Sequence, residues 1–177
     1  MGHVIEPAAS ARAKCRGCSD RIVKDELRLG ERLPNPFGEG EMTLWFHLVC
    51  AAYKRPQPLL EALEATTAAI DRLAWLRSQA EKSVAHRRLP RVAGAQRAPT
   101  GRARCRCCKE PVDKGSWRVS LVFYEEGRFQ PSGFIHARCS EPYFETRDLI
   151  GRIKHFCSEL TDGDLDELRS ELSRADD

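Results

Sequence analysis

The chain has no apolar run approaching the roughly 20 residues that cross a membrane, and no N-terminal stretch with the pattern of a secretory signal. Glu6 stands where an N-terminal acylation motif wants Ser or Thr, so a lipid anchor is not expected either. No glycine-rich phosphate loop and no Ser/His/Asp or paired-carboxylate arrangement can be placed; Glu125-Glu126 reads as a turn. These gaps argue against a membrane partner and against an enzyme. What the chain does have is cysteine: eight among 177 residues. Without an export signal, they are expected as metal ligands rather than disulfides.

Six of the eight fall into two sets. Cys15 and Cys18 are followed, after a gap of 28 residues, by His47 and Cys50; Cys105 and Cys108 are followed, after 27, by His136 and Cys139. Two close pairs of soft ligands joined by one long loop suit a tetrahedral zinc ion. With all four positions filled by protein, each of the two Zn2+ sites is expected to be structural. Cys107 rivals Cys108 as a ligand, and the repeat favours Cys108. Cys157 sits on an apolar stripe and reads as core. His3, His86 and His155 lack ligand spacing and read as surface residues, while Trp45, Trp75 and Trp117 read as core.

An offset of 90 carries Cys15 onto Cys105 and Cys18 onto Cys108. It also carries Arg12 onto Arg102, Lys24 onto Lys114 and Arg28 onto Arg118, matches that a metal does not require. Net charge is only +3, yet its distribution is uneven. Residues 93–140 hold nine Lys/Arg against four Asp/Glu, and 141–177 hold five against eleven. A basic module with an acidic tail suits a polyanion-binding face opposite a solvated one.

The expected organisation is a small zinc-stabilised α+β chain. Residues 1–56 form a first finger, with 1–11 a loose arm. Val23 to Leu33 and Met42 to Phe46 make a hairpin, Gly30 allows a turn, and a helix starts at His47. Residues 57–88 form a long connecting helix, broken from the finger by Pro56 and Pro58. Its stripe is Leu59, Leu63, Thr66, Ile70, Leu73, Ala80 and Val84, packed on its own finger or, alternatively, in a coiled coil. Residues 89–101 read as a flexible linker and 102–143 as the second finger, with a strand over Trp117–Tyr124. Residues 144–177 read as C-terminal helices with Thr161 capping the last.

The supporting motifs are Arg12-Ala-Lys-Cys15, Lys24-Asp-Glu-Leu27-Arg28 and Leu44-Trp45-Phe46-His47, echoed by Gly101-Arg102-Ala-Arg-Cys105, Lys114-Gly-Ser-Trp117-Arg118 and Gly133-Phe-Ile-His136. With the ligand spacing, they make each finger resemble the zinc finger of the poly(ADP-ribose) polymerases (PARP-type), also found in a vertebrate DNA ligase. The resemblance implies sequence-independent recognition of DNA strand breaks, and the missing catalytic motifs suggest no catalysis by the chain itself. It implies phosphate contacts by Arg12, Lys24, Arg28, Arg102, Lys114 and Arg118, and base-covering loop residues at Phe37 and Phe129. The partner is then DNA with strand breaks. Two roles are open: the chain acts alone to shield or mark breaks, or it recruits a repair enzyme through the 59–84 helix or the acidic tail. The expected location is the nucleoid in the cytoplasm if bacterial, or the nucleus if eukaryotic. The alternative is a zinc-stabilised protein-interaction adaptor with no nucleic-acid role.

Overall fold

The computed structural model describes residues 2–174. They divide into two compact units. The first runs to Pro90 and takes in Tyr124–Phe129; the second holds Arg91–Phe123 and the residues from Gln130 onward.

The first unit is built on a sheet of order β1-β2-β3, from Val4–Pro7, Leu27–Pro34 and Glu41–His47, all antiparallel. Gly30 is not at a turn. It lies mid-strand in β2, between Val4 and Trp45, where an added Cβ would meet Trp45 Cζ3 at 2.7 Å and Val4 Cγ1 at 2.9 Å. The missing side chain is what lets Trp45 lie across β2. The expected loose arm contributes β1 instead, because four residues suffice to pair an edge strand. Pro7, which has no N–H to donate, sits at its end.

Helix α1 (Leu48–Lys54) follows directly from β3. Pro56 does not break the chain's helical course; it opens helix α2 (Pro56–Ala65) as its first residue, where a missing N–H costs nothing. The expected single helix over 59–84 is two. Thr66 caps α2 in extended backbone and its hydroxyl accepts from the Ala68 N–H at 3.2 Å, a local bond that competes with the helix. Arg72 then takes a left-handed conformation (φ 54°) before helix α3 (Leu73–Ala85). The expected stripe therefore holds only in pieces. Leu59 and Leu63 are buried from α2, but α3 buries Leu76, Ala80 and Ser83, leaving Leu73 and Val84 exposed. The Ser83 hydroxyl donates to the Ala52 carbonyl at 2.7 Å, so α3 packs on its own finger.

A second sheet, of order β4-β5-β6, is formed by Val92–Arg97, Trp117–Glu125 and Arg128–His136, and all of it but the tip of the β5-β6 hairpin belongs to the second unit. The expected linker thus supplies β4, antiparallel to β5 with a bulge between Val92 and Gly94. Its Ala and Gly residues gave no strand signal. Gly94 is needed because a Cβ there would lie 2.4 Å from Cys157 Sγ, and Cys157 is core as expected. Helices α4 (Ser140–Phe144), α5 (Ile150–Phe156) and α6 (Asp162–Ser173) complete the unit. Phe144, Leu149, Ile153, Leu165, Leu168 and Leu172 supply much of its core. Thr161 caps α6 in a reciprocal box with Asp164, as its sequence suggested. No helix among the described residues is long and apolar enough to cross a membrane.

Candidate metal centres and the surface around them

Each finger's ligands come together where a tight turn faces the end of the third strand. In the first, Cys15, Cys18, His47 and Cys50 bring their ligand atoms within 4.8 Å of one another; in the second, Cys105, Cys108, His136 and Cys139 do the same. The turns match closely. Ser19 and Lys109 adopt left-handed backbone (φ 70° and 69°), and the Cys15 and Cys105 amides donate to the Asp20 and Glu110 carbonyls at 2.8 and 2.9 Å.

The donor sets fit zinc. Bonds of about 2.3 Å to sulfur and 2.0–2.1 Å to nitrogen put the N···S edge of a tetrahedron near ~3.6 Å. His47 Nδ1 lies 3.4 Å from Cys18 Sγ and 3.8 Å from Cys50 Sγ, and His136 Nδ1 lies 3.4 and 3.8 Å from Cys108 and Cys139 Sγ. The other ring nitrogen is held by backbone: His47 Nε2 is 3.3 Å from the Arg21 carbonyl and His136 Nε2 is 3.0 Å from that of Pro111. That contact leaves Nδ1 as the metal-facing atom. Of the adjacent cysteines, Cys108 joins the cluster, while the Cys107 amide donates to Cys105 Sγ at 3.4 Å.

The sulfurs are polarised unequally. A hydrogen bond with Cys50, ahead of those from His47, pulls the Cys15 thiol down to about 3, and the same bond pushes Cys50 up. Cys105 is also lowered: burial opposes this, but the amides of Cys108, His136 and Cys107 prevail. Each finger therefore has one sulfur favoured as the thiolate, in the first chiefly by the Cys50 side chain and in the second by surrounding amides.

Two of the expected phosphate residues are not on the open surface. Arg28 is 8% exposed and Arg118 6%, and each guanidinium stacks on a ring, Trp45 or Phe134, at 3.5 Å from the centroid. Nε of both is buried without a partner. Trp45 is thus half-buried under an arginine rather than plain core. Arg12, Lys24, Arg102 and Lys114 are exposed. Phe37 is 82% exposed on its Pro-rich loop. Phe129 is not an exposed tip. Its half-buried ring meets Phe46 edge-on at 6.4 Å between centroids and Tyr124 at 4.8 Å, inside the first unit. Sequence reasoning also missed Arg16 and Arg106, exposed residues related by the same offset, whose amides donate to Trp45 and Phe134.

Residues 6–87 match the family described as the poly(ADP-ribose) polymerase and DNA-ligase Zn-finger region. Residues 6–87 are a PARP-type zinc finger. The second module carries the same ligand set and turn, its first cysteine pair at an offset of 90 and its His136 and Cys139 at an offset of 89. Curated relatives bear poly(ADP-ribose) polymerase names. The rice protein poly [ADP-ribose] polymerase 1 is 28% identical over 76% of this chain and 14% of its own length. Its chicken namesake is 30% identical over 65% of this chain and 13% of its own length, and the zebrafish one 25% over 94% and 18%. The chain thus spans less than a fifth of each of these relatives.

Proposed function

We propose that this chain binds DNA without reading its sequence and recognises strand breaks through its two PARP-type fingers, with no catalysis of its own. The observation that carries the reading is the repeated stack: in each finger an arginine lies flat on an aromatic ring with an unsatisfied donor, and in the first that arginine, Arg28, pairs directly across the sheet with the metal-binding His47. A guanidinium so held suits phosphate oxygens, which accept charge-assisted hydrogen bonds. Exposed Arg12, Lys24, Arg102 and Lys114 extend the cationic surface, and each phosphate neutralised releases counterions. An intact duplex offers no free base face, whereas a nick or end does. Phe37 is the residue available to cover it, at ~1–3 kcal/mol per stacked base. Phe129, packed inside the first unit, has no part in this reading.

The relatives named above are polymerases from eukaryotes, so the reading extends to a nuclear setting; a nucleoid setting draws no support from them. Recruitment of a repair enzyme falls to the outer face of α3, where Leu73 and Val84 are exposed, or to acidic α6. One observation favours the adaptor alternative: a cleft of about 490 Å³ in the first unit, walled by Leu48, Ile70, Trp75 and Leu76.

The test is a titration of the zinc-loaded chain against nicked and intact duplexes of one sequence across a salt series. Break recognition predicts tighter binding to the nicked duplex and a steep fall of affinity with salt. Equal affinity for both duplexes removes the break reading, and no binding at low salt favours the adaptor.

A further inference from the structure

Read through the sheets, the repeat contains one unlike pair. In the first unit β1 sets Glu6 across from Arg28, and Arg28 Nη2 donates to Glu6 Oε1 at 3.0 Å. In the second unit β4 sets Gln96 across from Arg118. The offset of 90 relates Glu6 to Gln96 as it relates Arg28 to Arg118. The two arginines match in ring stacking at 3.5 Å, burial and an unpartnered Nε, on Trp45 in the first finger and Phe134 in the second. The carboxylate is replaced by a neutral amide whose Nε2 donates to Ser120 Oγ at 3.4 Å instead.

Charge bookkeeping at the two sites therefore differs. Arg28 has its counter-ion built in. Arg118 has no ion pair among the described residues, and its burial pulls its pKa down, as an uncompensated cation requires. Arginine does not escape by releasing its proton. A buried charge of this kind is stabilised by an external anion that accepts its free hydrogen bonds. At Arg28 the same anion has to displace Glu6 or sit beside it, where like charges repel.

We propose that the two fingers are unequal anion sites: Arg118 is the principal phosphate-holding residue, and Glu6 keeps its counterpart Arg28 internally neutralised. Identifying the phosphate as a DNA backbone rests on the function proposed above; the inequality itself does not. Glu6 sets the specificity difference as a built-in competitor, and Gln96 opens the second site by removing it.

The experiment uses the zinc-loaded full chain and two probes. In the first, inorganic phosphate is titrated while the Nε–H resonances of Arg118 and Arg28 are followed by NMR, assigned by loss of each peak in R118K and R28K. The expected result is a saturable shift at Arg118 and a several-fold weaker one at Arg28. Glu6→Gln raises the Arg28 response to match, and Gln96→Glu abolishes that of Arg118. Gln96 is exposed, so the substitution should leave melting unchanged, which is checked in parallel. In the second, a nicked duplex is titrated across salt. Gln96→Glu should weaken binding about fivefold or more and cut the salt slope by about 0.9, one phosphate contact; Glu6→Gln should tighten it. A silent Arg118, or equal responses from both arginines in the wild type, overturns the inference even if the duplex binds. A phosphate response at Arg118 without duplex binding sustains the inference and removes the DNA reading.

Discussion

Removing the Phe37 ring should separate break recognition from backbone binding. The side chain is 82% exposed, so Phe37→Ala deletes almost no buried surface. Its loop is held by other means: the Phe37 amide donates to Asn35 Oδ1 at 3.0 Å, a bond that alanine keeps. Folding stability should therefore change by no more than about 0.5 kcal/mol, the range for surface substitutions. Binding to a nick should lose the stacking increment of ~1–3 kcal/mol. At 1.4 kcal/mol per decade, that is roughly 5- to 150-fold. Binding to the intact duplex should stay within about twofold, and the salt slope should not move, since no phosphate contact is touched. Fluorescence anisotropy with both duplexes, at two salt concentrations, reads all three quantities. An equal loss on both duplexes, or no loss on the nicked one, refutes the assignment of Phe37 to an exposed base.

Three further outcomes follow from packing and ligation. Glu31 is 1% exposed and accepts from Arg55 Nε at 2.9 and 3.1 Å, so Glu31→Ala should cost about 3–5 kcal/mol by stranding that cation, seen as a lower denaturant midpoint. Gly94→Ala should destabilise the second unit by about 1–3 kcal/mol through its collision with Cys157 Sγ, and Cys157→Ala in the same chain should recover most of the loss. Cys108→Ser should lower bound zinc from two per chain to one, measured by native mass spectrometry, while Cys107→Ser keeps two.

The zinc ligands were legible because a metal demands particular residue types at particular spacings. The hairpin strands β2, β3 and β5 were legible from their apolar and β-branched residues. The edge strands were not. Val4–Pro7 is too short to show alternation, and Val92–Arg97 is mostly small or polar, so both pair through backbone groups that carry no residue signature. The break between α2 and α3 was hidden because Thr66 and Ile70 fit the apolar spacing, while the deciding interaction is a hydroxyl bonding two residues onward. Arg28 and Arg118 were singled out by the repeat, but their burial follows from which ring the neighbouring strand places beneath them, and that needs the register. Phe129 misled for a similar reason: an aromatic in a hairpin reads as a free tip until its neighbours Phe46 and Tyr124 are seen.

Adding zinc back to metal-free chain in the presence of a labelled nicked duplex tests most directly whether metal-organised fingers create the DNA-binding surface. Zinc ligation supplies folding free energy of about 10–16 kcal/mol in comparable fingers, so each ion should build one module. The account predicts that binding appears in step with added zinc and saturates at two ions per chain. Metal-free protein that binds the nicked duplex as tightly, and prefers it to the intact one by the same ratio, would contradict it.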